Sequence, residues 1–312
     1  MKAIVYNKKV RPDKLIYSDV EMPVPKNNEV LIKILAVSAN AADYRSMRMG
    51  MIPKKRIFGA DIAGRVESAG SEIRQFKPGD EVIGDLSGFG FGGFAEYAVS
   101  PETVLVPKPA GISFEAAAAL PMAATTALQA LRNKGNIRKG QKVLIAGSSG
   151  GVGSFAVQLA KYFGAEVTGV CSTKNMEQTN SLGADHVIDY TKDDFTRSDK
   201  RYDLILAVNG NRPLAAYRRI LNQNGIYVMV GGSLSQVFRS LLFGGLMSSG
   251  SRKMRSLAAK PNQKDLEFIV KLVENGNVKP VIDRRYPLEQ TTEAMRYLAG
   301  GHARGKVVIT IR

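Results

Sequence analysis

A run of small residues near the middle of the chain has the spacing of a phosphate-binding turn. Gly151, Gly153 and Ala156 form the pattern G-x-G-x-x-A. The first glycine permits a tight turn, the second lets the backbone approach a phosphate, and the alanine lets a helix pack closely on a strand. The N–H groups at the start of that helix would then face an anion, supported by the helix dipole. This spacing predicts a site for the pyrophosphate of a dinucleotide.

The same turn also fits a second kind of chemistry. Gly147, Ser149 and Gly151 match G-x-S-x-G, the nucleophile elbow of serine hydrolases, which likewise lies between a strand and a helix. That interpretation requires an acid and then a histidine further along the chain, and only His186 and His302 are available. The residues that follow the turn decide between the two interpretations.

The elements around the turn are those that a dinucleotide site needs. The apolar run 143–146 predicts a buried strand, and apolar residues at helical spacing predict a helix over 151–163. A second strand, 166–170, is followed by Ser172, Thr173 and Lys174, where an acidic residue would hold the ribose 2′-hydroxyl of NADH. Hydroxyl groups and a cation suit a 2′-phosphate instead, so we predict NADPH, although an exposed lysine at a helix start also explains Lys174.

Composition limits the classes of protein to consider. The 312 residues are enough for two domains, and a hydrophobic content of 44% is ordinary for a globular protein. A single cysteine excludes a disulfide framework and a multi-cysteine zinc site. The first residues lack a signal-peptide pattern and no apolar run reaches 18 residues, so we expect a cytoplasmic protein.

The formal net charge of +16 is unevenly distributed, because residues 204–264 contain no Asp or Glu. Such a field attracts anions, among them NADPH, an acyl carrier, nucleic acid or anionic lipid, although it also serves solubility alone. We expect no nucleic-acid partner, since no recognition motif accompanies the charge. Within this stretch, apolar residues of segment 234–250 lie at helical spacing, which is compatible with core packing, a lid, a subunit interface or a peripheral contact with an anionic membrane.

The order of elements predicts two kinds of fold in one chain. Residues 1–110 contain short candidate strands separated by turn residues, with one helix over 41–48, which is typical of a barrel-like domain. The alanine-rich stretch 114–132 predicts two helices that meet at Pro121. From residue 141 strands and helices alternate, which predicts a parallel sheet with helices on both faces. The predicted elements after residue 261 are helix to 274, strand 279–283, helix 289–298 and strand 306–311.

Several stretches together resemble one enzyme family, the medium-chain dehydrogenase/reductase superfamily, along essentially the whole chain. The similarity is greatest to its zinc-independent quinone oxidoreductase branch, related to zeta-crystallin, and it disfavours the hydrolase. The matching stretches are 40–43, 59–64, 76–82, 92–97, 146–153, 182–190 and 305–308.

The resemblance implies an α/β fold with a GroES-like β-barrel substrate domain and a Rossmann domain with a doubly wound parallel sheet. The implied domains are 1–118 for the substrate domain, 119–261 for the NADPH-binding domain, and 262–312 for the return to the substrate domain. It implies a homodimer and a cofactor bound between the two domains. The implied cofactor-binding residues are Asn40, Asp43, Thr126, Ser149, Gly150, Gly151, Val152, Ser172, Thr173, Lys174, Tyr190, Asn209, Gly210, Gly231 and Lys306.

Two departures from the family pattern shape the expected mechanism. Zinc-dependent members use a cysteine and a histidine in the barrel, whereas this chain has neither before Cys171, so we expect no metal. Many relatives carry a tyrosine where Ile52 stands, which argues against a mechanism that needs that hydroxyl. Hydride transfer to a quinone or enone delocalises the developing charge, so it demands less of the site than reduction of a simple ketone. The candidate catalytic residues are Asn40, Tyr44, Arg45 and Lys306.

Two alternatives stay open. The basic stretch suits an acidic acyl carrier and hence an enoyl-thioester reductase, although Ile52 argues against it. The same stretch, with segment 234–250, is also compatible with a non-catalytic NADPH-binding protein at a membrane surface. The sequence does not identify the physiological electron acceptor or the proton donor.

Overall fold

A computed structural model describes residues 1–7, 15–53, 55–210, 212–231 and 251–312. These residues form two compact units: Met1–Thr125 with Lys260–Arg312, and Thr126–Ala259. Residues 119–125 and 260–261 thus pack with the first unit, whereas the sequence assigns them to the cofactor-binding domain. The functional domain boundaries at 118/119 and 261/262 stay a prediction.

A seven-stranded mixed sheet forms the framework of the first unit. Its strands are β3 (Glu29–Ala39), β4 (Asp61–Ala69), β5 (Glu81–Asp85), β6 (Tyr97–Pro101), β7 (Leu105–Pro107), β14 (Ile282–Pro287) and β15 (Lys306–Thr310). The order is β14-β15-β3-β4-β5-β7, and β6 pairs with β3. The C-terminal strand β15 therefore lies beside β3, which completes the sheet from both ends of the chain. A separate two-stranded sheet consists of β1 (Lys2–Val5) and β2 (Ile16–Asp19).

Proline and capping residues mark where helices of the first unit begin. They are α1 (Ala41–Arg48), α2 (Phe114–Ala118), α3 (Pro121–Leu128, which continues into the second unit), α7 (Gln263–Glu274) and α8 (Thr291–Ala299). Pro121 takes the first position of α3, where the missing N–H removes no intrahelical bond. Asn262 caps α7 through its side chain. The core between these elements is apolar and includes Ile32, Phe58 and Phe94.

The second unit has a six-stranded, wholly parallel sheet. Its strands are β8 (Lys142–Ala146), β9 (Glu166–Cys171), β10 (His186–Asp189), β11 (Tyr202–Val208), β12 (Leu221–Val230) and β13 (Lys253–Leu257). They pair in the order β10-β9-β8-β11-β12-β13. The order reverses between β8 and β11, and ligands of such sheets bind outside the carboxyl ends of the strands at that switch point.

Three helices follow strands of this sheet: α4 (Gly151–Tyr162), α5 (Met176–Ser181) and α6 (Leu214–Arg219). The predicted doubly wound sheet is thus confirmed. Three differences concern other elements. The strand predicted over 279–283 lies at Ile282–Pro287, strand β13 was not predicted, and Gln129–Lys134 forms a π-helical turn. Segment 234–250 lies wholly within residues 232–250, outside the described residues.

No helix in the described ranges is both long and apolar enough to cross a membrane.

Candidate cofactor and active site

The glycine-rich turn lies at the switch point of the parallel sheet. Gly147 follows β8 with φ of 80°, and a Cβ there would lie 2.5 Å from the carbonyl oxygen of Val208 at the end of β11. At Gly153 a Cβ would lie 2.0 Å from the Gly147 carbonyl oxygen. Both positions therefore require glycine, and the close packing that the spacing predicts is present.

The start of α4 has the properties of an anion site. Gly150 is the N-cap residue and contributes no capping side chain. The first N–H groups of a helix have no acceptor within the helix, and the helix dipole favours a negative charge there. The Gly150 N–H donates to the Gly147 carbonyl oxygen at 3.3 Å. Gly151 and Val152, at the start of the helix, therefore have the backbone N–H groups that fit the pyrophosphate of a nicotinamide dinucleotide.

Ser149 is held by amide groups. Its Oγ accepts a hydrogen bond of 3.0 Å from Asn175 Nδ2, and its carbonyl oxygen accepts one of 3.1 Å from Gln178 Nε2. A nucleophile elbow would instead pair this hydroxyl with a histidine. Neither Asn175 nor Gln178 was predicted from the sequence, although both follow the predicted second strand and carry amides.

The carboxyl end of β9 carries the predicted 2′-phosphate residues. Ser172 is half-buried and Thr173 and Lys174 are exposed. Tyr190, which follows β10, is 46% exposed, and its N–H donates to the carbonyl oxygen of Cys171 at 3.0 Å. The structure thus brings these residues to one edge of the sheet.

Asp189 is a buried carboxylate at the same carboxyl end of the sheet, and it was not among the residues predicted from the sequence. It is paired in register with Cys171 and accepts hydrogen bonds from Thr173 Oγ1, Thr191 N and Thr191 Oγ1. The bond from Thr173 is the largest influence holding the pKa of Asp189 below its ordinary value. The hydroxyl hydrogen of Thr173 is therefore directed to Asp189, so a 2′-phosphate would be met by Ser172 and Lys174 and by backbone N–H groups.

The other predicted residues of the second unit occupy comparable positions. Asn209 follows β11 with φ of 56°, and its N–H donates to Val230 O at 3.0 Å. Gly210 has no room for a side chain, because a Cβ would lie 2.6 Å from the Tyr217 hydroxyl. Gly231 follows β12 with φ of 67°, and Thr126 is buried.

In the first unit, Asn40 and Lys306 meet in a buried polar cluster. Lys306 Nζ donates to Asn40 Oδ1 at 2.6 Å and forms an ion pair of 3.3 Å with Asp61 Oδ2. Asn40 Nδ2 donates to Asp61 Oδ2 at 2.9 Å and to Ser38 O at 3.1 Å. Asn40 and Lys306 were predicted from the sequence and Asp61 was not, although a carboxylate directly before the buried residues 62–64, which carry no polar side chain, was a visible signal.

Asp43 lies next to this cluster and is fully buried. Its carboxylate accepts hydrogen bonds from Asn40 N at 2.8 Å and Gly59 N at 3.3 Å. Burial outweighs these two bonds and, with the nearby charge of Asp61, raises the pKa of Asp43 to about 7. Burial and Asp61 likewise raise the pKa of Asp85 to about 6. The interior of this unit therefore contains carboxyl groups that titrate near neutral pH.

The other two candidate catalytic residues lie on α1. Tyr44 is half-buried against the apolar core, and its ring lies 5.7 Å from the Arg48 guanidinium. Burial lowers the pKa of Arg45. Ile52, where relatives carry tyrosine, is 39% exposed. The catalytic roles of Tyr44 and Arg45 stay predictions.

The residues present do not fit a catalytic zinc ion. Such an ion needs about three nitrogen, sulfur or carboxylate ligands from the protein. In the described part of the chain no three His, Cys, Asp or Glu side chains are grouped so that they could hold a metal. His186 is bonded to Glu166, and Cys171 is buried in the second unit.

Comparison with known proteins agrees with this architecture. Residues 26–110 match the alcohol dehydrogenase GroES-like domain, and residues 182–309 match the zinc-binding dehydrogenase family. The chain is 37% identical to the chloroplast envelope quinone oxidoreductase homolog of Arabidopsis thaliana, over 95% of this chain and 93% of that protein. It is 33% identical to the chloroplastic NADPH-dependent alkenal/one oxidoreductase of the same plant, over 99% and 79%.

A solved structure supports the same assignment. The quinone oxidoreductase from Coxiella burnetii superposes with a TM-score of 0.90 at 29% identity, over 100% of this chain and 99% of that one. An anion site at the switch point of a doubly wound sheet, a GroES-like domain and these similarities make the chain an oxidoreductase that uses a nicotinamide cofactor. It belongs to the medium-chain dehydrogenase/reductase superfamily, in the zinc-independent quinone oxidoreductase-like branch.

Proposed function

We propose that this protein transfers a hydride from NADPH to a quinone or to an activated enone. The observation that carries the choice of NADPH is the carboxyl end of β9, where Ser172 and Lys174 stand and the neighbouring carboxylate, Asp189, is bonded to Thr173 and Thr191. A hydroxyl and an ammonium group favour a 2′-phosphate over a 2′-hydroxyl. The names of the two Arabidopsis relatives support the choice of acceptor.

The protein's own contribution would be to bind, orient and polarise. The bound cofactor would supply the hydride. Backbone N–H groups of the turn at Gly151 would hold the pyrophosphate, and Asn209 and Gly210 would contact the cofactor beyond it. Lys306 would polarise the carbonyl of the acceptor, on which negative charge develops, and the Asn40 carboxamide oxygen would hold that ammonium group in place.

The polar cluster of the first unit favours one class of acceptor. It contains an ammonium group and a carboxamide, and the residues of that unit do not fit zinc. A conjugated acceptor spreads the developing charge over several atoms, so it needs less stabilisation at one oxygen than a simple ketone does. Quinones and enones therefore fit this site better than alcohols or ketones.

The test compares cofactors and acceptors in one experiment. NADPH and NADH oxidation would be followed at the nicotinamide absorbance with a quinone, an enone and an enoyl thioester. The proposal expects NADPH-selective turnover of the first two acceptors. Turnover of the thioester alone would favour an enoyl-thioester reductase, and NADPH binding without turnover would favour the non-catalytic protein.

A homodimer, a cytoplasmic location and a peripheral contact with anionic membranes stay predictions. Vesicle binding that weakens with added salt would test the membrane contact.

A further inference from the structure

Asp61 is a buried carboxylate in a place where an apolar residue would be expected. It opens strand β4, whose next three residues, 62–64, are buried and carry no polar side chain. In register, it is the partner of Ser38 on β3 and of Asp85 on β5, so a polar row crosses three neighbouring strands. A buried charge is strongly unfavourable unless it is paired and hydrogen-bonded. The partners of Asp61 therefore indicate what it does.

The Asp61 carboxylate joins three segments that are distant in the sequence. Its Oδ1 accepts a hydrogen bond of 2.9 Å from Met122 N, at the start of α3. Its Oδ2 accepts from Asn40 Nδ2 at 2.9 Å and pairs with Lys306 Nζ at 3.3 Å. Lys306 is 3% exposed and Asp61 is 0% exposed, so water screens this ion pair little.

These contacts determine which way the Asn40 carboxamide faces. Its oxygen accepts from Lys306, and its nitrogen donates to Asp61 and to the Ser38 carbonyl oxygen. If the carboxamide turned over, its N–H groups would face an ammonium and its oxygen would face a carboxylate. Asn40 is therefore fixed with its N–H groups occupied and its oxygen beside the cation.

We propose that Asp61 is a positioning residue that fixes the Asn40 carboxamide and the Lys306 ammonium in the orientation required for reduction of the acceptor. This inference rests on the proposed function, because it assigns Asp61 to the same site. Asp61 itself would act only through Asn40 and Lys306. The competing explanation is that the ion pair only stabilises the fold, so the experiment must separate positioning from stability.

The first part of the test is a double-mutant cycle on kcat with NADPH and the preferred acceptor at saturation. Asp61→Asn and Asn40→Ala should each lower kcat by about 10- to 100-fold, the scale of a misplaced reacting group. Because Asp61 acts partly through Asn40, the combined variant should lose less kcat than the product of the two single losses. Additive losses, or wild-type kcat in Asp61→Asn, would overturn the proposal.

The second part addresses variants that fail to fold. Asp61→Asn leaves the Lys306 ammonium buried without its counter-charge, which is strongly destabilising. The double variant Asp61→Asn with Lys306→Met removes both charges and should be more stable to heat than Asp61→Asn, while its kcat stays as low as that of Lys306→Met alone, because Asp61 has no ammonium group left to position. Recovery of both stability and kcat would show that the pair is only structural.

The matched control is Asp19→Asn, which makes the same chemical change in the exposed Lys2–Asp19 pair. It should leave kcat unchanged. Turnover by the wild type separates the proposed function from the positioning role of Asp61. If the wild type reduces no acceptor, the proposed function fails. The effects of the same variants are then measured on the NADPH dissociation constant. If both Asp61→Asn and Asn40→Ala leave that constant unchanged, the positioning role is refuted as well.

Discussion

Asp43 makes the folded protein sensitive to pH in the neutral range. Its pKa is raised from 3.8 to about 7, mainly because the carboxyl group is completely buried. A raised carboxyl pKa means that the folded state binds a proton that the unfolded state has already released. The unfolding free energy should therefore fall as the pH rises from about 4 through about 7.

The size of the effect follows from the two pKa values. A rise from 3.8 to about 7 corresponds to about 4 kcal/mol over the full range, at 1.36 kcal/mol per unit. Between pH 5 and pH 8 the loss attributable to Asp43 is about 2–3 kcal/mol, because part of the titration lies outside that window. Asp85, with a pKa of about 6, adds a smaller loss in the same direction.

The Asp43→Asn variant isolates this contribution. Asparagine cannot titrate, so its unfolding free energy should change less between pH 5 and pH 8, by about 2–3 kcal/mol relative to wild type. Asparagine also turns an N–H group toward Asn40 N or Gly59 N, which lowers stability by about 1–3 kcal/mol at every pH. The comparison therefore concerns the slope with pH rather than the absolute stability.

The measurement is urea unfolding followed by circular dichroism at several pH values, for wild type, Asp43→Asn and Asp19→Asn. Asp19 is exposed and Lys2 lowers its pKa, so it titrates below this window and its replacement should preserve the wild-type slope. If wild type and Asp43→Asn have the same slope, the buried carboxyl is not protonated near neutrality and the reasoning is refuted.

Three further outcomes are expected. Replacing Ser172 with Asp and Lys174 with Ala together should shift the ratio of kcat/KM for NADPH and NADH toward NADH by about tenfold or more, because charge-assisted hydrogen bonds are lost. An unchanged ratio would contradict the 2′-phosphate assignment. Gly153→Ala should weaken NADPH binding and lower stability by about 1–3 kcal/mol, because its methyl group meets Gly147 O. Gly300→Ala, at an exposed helix end where a Cβ lies 3.3 Å from its nearest neighbour, should be tolerated in the same binding and unfolding assays. Chelators should leave activity intact, and elemental analysis that finds one zinc per chain would refute the zinc-free prediction.

Most of the second unit could be predicted from the sequence because its signals are local. A buried parallel strand is an apolar run in the sequence, and within an amphipathic helix the apolar residues recur at a period of 3.6 residues. The predicted segments 143–146 and 151–163 agree with β8 and α4 to within a residue at each end. The short edge strand β13, with the sequence KMRSL, lacks such a pattern and was not predicted.

The sequence by itself determined the glycine turn, the order of the elements and the residue types at the end of β9, since each depends on neighbours a few positions apart. Only the tertiary structure decided how Asn40, Asp61 and Lys306 meet, because Lys306 and Asn40 are separated by 266 positions and come together only when β15 pairs with β3. It also decided the raised pKa of Asp43, since burial depends on every element packed around the group. Strand pairing over long distances is what turns separate polar residues into one buried cluster.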